Sequence, residues 1–332
     1  MKQIYYAEPI PNKEPSVHCS SIIELPNQDL MVSYYAGTAE KHPDTKIYTV
    51  HYDNIKKHWN EPEVRLDTPD KSNGNAVLFL DKNQRIWLFN NTIHKEWKNE
   101  KRKWDWAATD NKYMYSDDLG CTWSENRDMF PNLIGWNFKN KPIYIQNGDI
   151  LVPIYDDLEF QSRVAISPNN GKTWELSGLI KTEKSEGRKI GNIQPSLIEK
   201  ENGNIIALLR PRTIRKILYS ISINNGKNWT KTYATKLKNP NSGIDAVKLN
   251  NGHVVLVYND ISFYQRYKLS VALSEDEGNN WKYKKTLELS FPWKEFSYPA
   301  VIQDSHGLIH ITYTYKREYI KHVVINEAWI KS

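Results

Sequence analysis

The sequence predicts an all-β chain closed into a six-bladed β-propeller, and three observations carry that prediction. An octapeptide ending in tryptophan recurs four times. Six segments, out of phase with it, each read apolar run, turn, apolar run. No linker, low-complexity tract or helical heptad interrupts the alternation, so residues 1–332 are expected to form a single domain.

The octapeptides are SDDLGCTW (116–123), SPNNGKTW (167–174), SINNGKNW (222–229) and SEDEGNNW (274–281), with tryptophans 51, 55 and 52 residues apart. A degenerate fifth copy, without the serine and glycine, ends at Trp59. Each reads as a hairpin turn. An Asp or Asn side chain bonds nearby backbone, Gly supplies a positive φ, and Trp pins the turn to the sheet. A calcium loop is rejected, because no copy carries the bidentate glutamate that closes one.

The second repeat supplies the inner hairpins in order. They are SIIELPNQDLMVSYY from Ser21, VLFLDKNQRIWLFN from Val77, PIYIQNGDILVPIY from Pro142, PSLIEKENGNIIALLR from Pro195, DAVKLNNGHVVLVYN from Asp245 and PAVIQDSHGLIHITYTY from Pro299. The pairs Asn147-Gly148, Asn202-Gly203 and Asn251-Gly252 are strong two-residue turn signals. Runs such as Val254–Tyr258 are continuously apolar, as expected for strands covered on both faces between neighbouring blades. The last blade has no octapeptide and is expected to close with the N-terminal strand near Gln3 to Tyr6. One insertion, HKEWKNEKRKWDW (94–106), lies in the second blade; Trp97, Trp104 or Trp106 could reach a substrate or partner from it.

Composition narrows the function classes. With 45 Lys+Arg, 39 Asp+Glu and a net charge of +6, the charge is too dilute to specify an acidic partner by itself. Cys19 and Cys121 are the only cysteines, which excludes a disulfide scaffold and a Cys-rich zinc module. No run approaches the roughly 18 apolar residues of a membrane span, and the first residues show no secretory signal. A cytoplasmic protein without membrane attachment is therefore expected. No His or acidic pair stands at metal-ligand spacing, so neither metal nor cofactor is expected. Basic residues are not paired with a nucleic-acid-binding motif, so no nucleic-acid partner is expected.

The octapeptides resemble the Asp-box (BNR) repeats of the sialidase superfamily. The stretches GWNFKNKPI (135–143), IQPSLIE (193–199), NPNSGIDAV (239–247) and EFSYPAVIQ (295–303) are similar to a bacterial group of BNR-repeat proteins described as predicted neuraminidases. The resemblance covers essentially the whole chain and implies an axial pocket. In such a propeller the residues just ahead of each first inner strand line that pocket. Here these are His18, Asn75, Lys141, Gln194, Asp245 (or Ile244) and Tyr298.

Sialidases hold a substrate carboxylate with three arginines, because a guanidinium fork matches a carboxylate. Arg210, 16 residues after Gln194, resembles the second, and Arg266, eight residues before Ser274, resembles the third. His18 stands where the first is expected. Asp44 resembles the acid/base aspartate and Tyr298 the nucleophile. A neutral phenol suits an anionic sugar, which would repel a carboxylate. Gln194 occupies the place of the glutamate that activates the tyrosine, and an amide cannot accept the proton. Glu295 could substitute if its loop folds inward.

The resemblance implies an exo-acting glycoside hydrolase on an acidic sugar, sialic-acid-like or uronic, with weak turnover of a standard aryl sialoside. Two alternatives remain open. In a polysaccharide lyase, His18 or Tyr298 would take the proton α to a uronate carboxylate, with Lys141, Arg210 or Arg266 neutralising it. In a non-catalytic carbohydrate-binding propeller, Gln194 would mark a lost activity.

Overall fold

Strands form where the apolar runs lie, and they are buried as their composition demands. All five residues of Val254–Tyr258 are fully buried. The computed structural model describes residues 2–94, 106–182, 184–185, 188–292 and 294–332. Trp97 and Trp104 lie outside the described residues.

Six antiparallel sheets follow one another around an axis as the blades of a β-propeller. The inner strands of blades 1 to 6 are Ser16–Glu24, Ser72–Leu80, Trp136–Phe138 with Ile143–Tyr144, Asn192–Glu199, Asp245–Lys248 and Phe296–Gln303. Each pairs with the strand that follows, so every predicted inner hairpin is present. Blade 3 departs from the rest. Its inner strand is split into two pieces that share the partner Ile150–Asp156, and residues 139–142 lie between them.

The octapeptides turn the third strand of blades 2 to 5 toward the outer edge. In the first, Gly120 N donates to Ser116 Oγ at 2.8 Å and Thr122 N donates to Asp118 Oδ1 at 2.8 Å. The serine thus shares the work assigned from sequence to Asp and Gly. Gly171 has a φ of +83° and leaves room for Trp87, whose ring would lie 2.5 Å from an added Cβ. The degenerate copy is also a turn, rebuilt on Asp53, whose Oδ1 accepts from Ile55 N and Lys56 N.

Blade 6 closes as expected, with the N-terminal strand spanning Tyr5–Ile10 and paired with Tyr319–Ile325. That strand lies slightly later than the composition suggested. Glu8 fixes it laterally, accepting from the Trp59 indole of blade 1 at 2.9 Å. A short C-terminal helix, Glu327–Lys331, is capped by Asn326 and was not apparent from sequence.

Among the described residues the apolar side chains form six clusters, each between two consecutive blades. The cluster between blades 6 and 1 contains Ile10 of the closing strand together with Ile320 and Val17. Stability therefore depends on the ring being shut. Ile10→Ala should cost roughly 2–5 kcal/mol in urea denaturation, whereas Ile55→Ala, at an exposed turn, should stay within about 0.5 kcal/mol of wild type. Equal midpoints for the two variants would show that the closing strand does not secure the ring.

Candidate functional site

Four inner strands begin with a bulge, and each bulge holds a non-glycine residue in the left-handed region. These are Cys19, Asn75, Gln194 and Tyr298, with φ between 50° and 55°. The ladder slips at each of them, between His18 and Ser21, Gly74 and Val77, Ile193 and Ser196, and Ser297 and Ala300. A left-handed residue in a bulge re-aims its side chain out of the pleat, at a cost in backbone strain. Asn75, Gln194 and Tyr298 turn in this way into an axial cavity of about 210 Å³. The sequence phase holds for these three. In blade 1 it is off by one, because Cys19, not His18, takes the bulge position.

Arg210 ends the strand Ile205–Pro211 and is 8% exposed. Its Nη1 donates to the Tyr298 hydroxyl at 2.7 Å and to Gln194 Oε1 at 3.0 Å, and its Nε donates to Asn241 Oδ1 at 2.8 Å. Arg266 also lines the cavity, with its guanidinium 5.2 Å from the centre of the Tyr298 ring. The two predicted arginines therefore converge on Tyr298.

Glu295 does fold inward, but onto guanidinium groups. Oε1 accepts from Arg266 Nη1 at 2.9 Å, and Oε2 accepts from Arg317 Nε at 3.1 Å. Burial works against its charge, yet His18, Arg317 and Arg266 hold the carboxyl well below the ordinary range. It acts here as a shared counter-ion.

Arg317 is the third cavity arginine, and the sequence reading missed it. It sits with Lys316 at positive φ in the turn from Ile309–Tyr315 to Tyr319–Ile325. Its carbonyl accepts from Val17 N at 3.0 Å, which fastens this turn to blade 1. Its Nη1 donates to Glu40 Oε2 at 2.7 Å, and Glu40 Oε1 accepts from the Trp106 indole at 2.8 Å. Burial pushes the Glu40 carboxyl up, but His18 and Arg317 more than offset it and hold it at about 2. Trp106, at the end of the insertion, packs where an added Cβ at Gly74 would meet it at 2.4 Å.

The other predicted residues lie elsewhere. His18 is buried beneath Tyr298, ring centres 4.3 Å apart, and its Nδ1 lies 2.8 Å from Thr314 Oγ1. Burial, aided by Arg317, pushes its imidazole down to about 3, so it is neutral at pH 7. The Arg317 pairing is then what operates on Glu40 at neutral pH. Asp44 is on the surface of the loop that carries Glu40. It accepts from Thr38 N at 3.1 Å and Thr38 Oγ1 at 2.6 Å, and it does not line the cavity. Burial opposes its charge slightly, but the bonds from Thr38 and His42 keep its carboxyl below the usual value.

Lys141 and Asp245 form an ion pair at 2.7 Å, outside the cavity lining. Asp245 also accepts from Ser196 Oγ and Val301 N, both at 2.9 Å, and so ties blades 3, 4, 5 and 6 together. Lys139, in the split of the blade 3 inner strand, is buried and donates to Asn140 Oδ1, Ile244 O and Pro299 O. Burial pushes its ammonium down to about 8, against the pull of Asp245. Cys19 is buried with its thiol pushed up to about 11, so it is not a nucleophile at neutral pH. Among the described residues no group of three His, Cys, Asp or Glu side chains is placed to hold a metal ion.

The family whose description is BNR repeat-like domain matches residues 28–311. No curated protein matches the sequence. Among solved structures, a protein of unknown function from Dyadobacter fermentans DSM 18053 aligns with a TM-score of 0.78 at 16% identity over 98% of each chain. The intramolecular trans-sialidase of Ruminococcus gnavus, solved with oseltamivir carboxylate, gives 0.78 at 13% over 96% of each chain. A leech intramolecular trans-sialidase complexed with 2,7-anhydro-Neu5Ac gives 0.79 at 13%, over 96% of this chain and 69% of that one. At these identities the likeness is one of fold.

The Glu40–Arg317 pair has a predictable pH signature. A carboxyl held at about 2 rather than 4.5 contributes stability that is fully present above about pH 4.5 and is lost as the pH falls toward 2. Glu40→Gln should lower stability at pH 7 by roughly 1–3 kcal/mol, by leaving Arg317 short of a partner. The variant should then lose less than wild type between pH 5 and pH 3, with Glu295 supplying the remaining acid sensitivity. Parallel curves for both proteins in urea titrations over that range would refute the pairing.

Proposed function

The chain belongs to the BNR repeat-like domain family, and from that premise we propose that it is an exo-acting glycoside hydrolase for an acidic sugar, sialic-acid-like or uronic. One observation carries the reading. Arg210 is nearly buried, and its hydrogen bonds go to the neutral groups of Asn241, Gln194 and Tyr298. A buried guanidinium among neutral partners is costly unless an anion compensates it. A sugar carboxylate seated between Arg210, Arg266 and Arg317 supplies that anion in the geometry a guanidinium fork prefers.

The cavity, at about 210 Å³, is smaller than the roughly 300 Å³ at which pockets for drug-sized ligands begin, which favours a single terminal sugar. Tyr298 would attack or stabilise the oxocarbenium-like anomeric centre, with Arg210 against its oxygen. Asp44 stands outside the cavity and is ionised at neutral pH, so it would have to swing inward on the loop that carries Glu40 and take up a proton before serving the leaving oxygen as the glycosidic bond breaks. Water would then complete hydrolysis.

A non-catalytic binding role is favoured by a different observation. Gln194 is an amide where an activating carboxylate would stand, and Glu40 and Glu295 are engaged by arginines, which leaves Asp157 as the other carboxylate on the cavity wall. Product analysis on acidic oligosaccharides separates the readings. A hydrolase releases reducing sugar, a lyase an unsaturated product that absorbs in the ultraviolet, and a binding protein neither.

Three outcomes are expected. Arg210→Ala should weaken binding of an acidic monosaccharide by about 2–5 kcal/mol while the fold survives, read by calorimetry and circular dichroism. Unchanged affinity would remove the carboxylate clamp. Asp44→Ala should abolish hydrolysis of a natural glycoside yet keep part of the activity on a nitrophenyl glycoside, whose leaving group needs no proton. Equal activity of wild type and variant on both substrates would take Asp44 out of the reaction. Gln194→Glu places a carboxylate beside Arg210 and Tyr298. It should lower affinity for the acidic sugar while raising the rate of bond cleavage at saturation, and a rise in both or a fall in both would contradict this account.

A further inference from the structure

A second concave site lies far from the axis, between the outer edges of blades 4 and 5. It is a groove of about 650 Å³, roughly three times the axial cavity. One wall is the strand Tyr233–Lys238, the outermost of blade 4, whose far edge is unpaired. The other wall is the end of the fourth octapeptide, from Gly278 to Lys282, and the start of Tyr283–Leu289.

The chemistry of the walls is uneven. Lys236, Lys282 and Lys284 all line the groove and all are exposed, and no acidic residue is among its lining residues. The nearby Asp276 carboxylate is taken up inside the octapeptide, where it accepts from Asn280 N, Asn280 Nδ2 and Ser274 Oγ. Glu275 pairs with Lys331 at 2.6 Å and reaches Lys282 only at 3.8 Å. The groove lining therefore carries net positive charge, offset in part by Glu275 at Lys282. It also holds three aromatic rings. Tyr233 is 57% exposed and packs on Tyr219, ring centres 4.9 Å apart, and Trp281 closes the opposite side. Asn279 and Asn280 are exposed beside them, their amides already bonded to Asp276 and Lys200 and left with only their remaining valences for a hydroxyl.

Aromatic faces accept the apolar C–H faces of pyranose rings, amides bond hydroxyls, and ammonium groups bond carboxylates through solvent-exposed, rotatable donors. We propose that this groove is a second binding site for an acidic oligosaccharide, several sugar units long, held along the rim by Lys236, Lys282 and Lys284 against Tyr233 and Trp281. Charge complementarity selects a carboxylated chain over a neutral one, and a volume of about 650 Å³ against about 210 Å³ at the axis selects an oligomer over a single sugar. The identification of the ligand as an acidic glycan rests on the proposed function, but occupancy of the groove does not require any chemistry at Tyr298. A site of this kind would keep the polymer on the protein between encounters of its end with the axial cavity, raising the local concentration of ends.

The test uses the full chain and tetragalacturonate as the probe, with cellotetraose as the neutral control and a short single-stranded oligonucleotide as the competing polyanion. Binding is measured by calorimetry in the Arg210→Ala protein, in which axial binding is weakened, and the groove variants are compared in that same background, so that failure of the groove is separable from failure of the axial reading. The expected result is tetragalacturonate binding that weakens at least tenfold in a Lys236→Ala/Lys282→Ala/Lys284→Ala variant and at 0.5 M salt, with no comparable binding of cellotetraose. Tyr233→Ala, at an exposed edge, should also weaken it without loss of folding. No binding, equal binding of cellotetraose, unchanged affinity in the triple variant, or tighter binding of the oligonucleotide through the same lysines would each overturn the proposal.

Discussion

A bulge at the head of an inner strand sets two residues against one, and the extra residue must leave the pleat. In this propeller that happens at four heads, and the residue that leaves is held at positive φ. Because inner strands converge on one axis, the displaced side chains meet one another. The Tyr155 hydroxyl receives the Gln194 amide at 3.2 Å and the Asn75 amide at 3.4 Å, while Arg210 joins Gln194 to Tyr298. The strain at each bulge is thus offset by burial of polar groups that only this geometry can pair. Blades 3 and 5 take another route. Their heads supply Lys139 and Asp245, which hydrogen-bond to the inner strands of other blades.

The charges around the cavity are paired in their own network. Three guanidinium groups around one small cavity would repel each other strongly if unpaired. Glu295 bridges Arg266 and Arg317, and Glu40 binds Arg317 from the other side with Trp106 behind it. Each carboxylate is far more acidic than usual, so the network stays ionised over the whole physiological range. His18, buried in the same cluster, is neutral and adds no fourth cation. The outcome is an alternating chain of charge that positions two arginines and leaves Arg210 among neutral partners.

Much of this architecture could be read in the sequence because it is periodic. The apolar runs recur in every blade, the octapeptides in four and the Asn-Gly turns in three, and recurrence exposes the strand heads at Asn75, Gln194 and Tyr298. The exceptions arise where blades differ. The split inner strand of blade 3 puts Lys139 against Ile244 and Pro299 and Lys141 beside Asp245, which a uniform phase cannot foresee. Cys19 stands where His18 was expected, a one-residue offset at the bulge of blade 1. Arg317 stands in a tight turn of the last blade, and Glu40 stands four residues before an aspartate that drew attention away from it. Both enter the cavity through contacts between blades 6, 1 and 2, and no local pattern encodes those contacts.

The amide at Gln194 is where fold and chemistry separate. A carboxylate there would lie against Arg210 Nη1, within the 3.0 Å that now separates the amide oxygen from it, and would neutralise that cation. Two demands then compete at one position. A base beside Tyr298 favours nucleophilic chemistry, while a neutral group beside Arg210 favours capture of an anion. This chain has the second arrangement, and the surrounding groups are consistent with it. Tyr155 and Tyr35, both buried with phenols pushed well above their ordinary range, stay uncharged, and the buried Lys139 carries its charge close beneath Gln194. The amide at Gln194 thus completes a set of neutral hydrogen-bond partners, with Asn241 and Tyr298, around the Arg210 guanidinium.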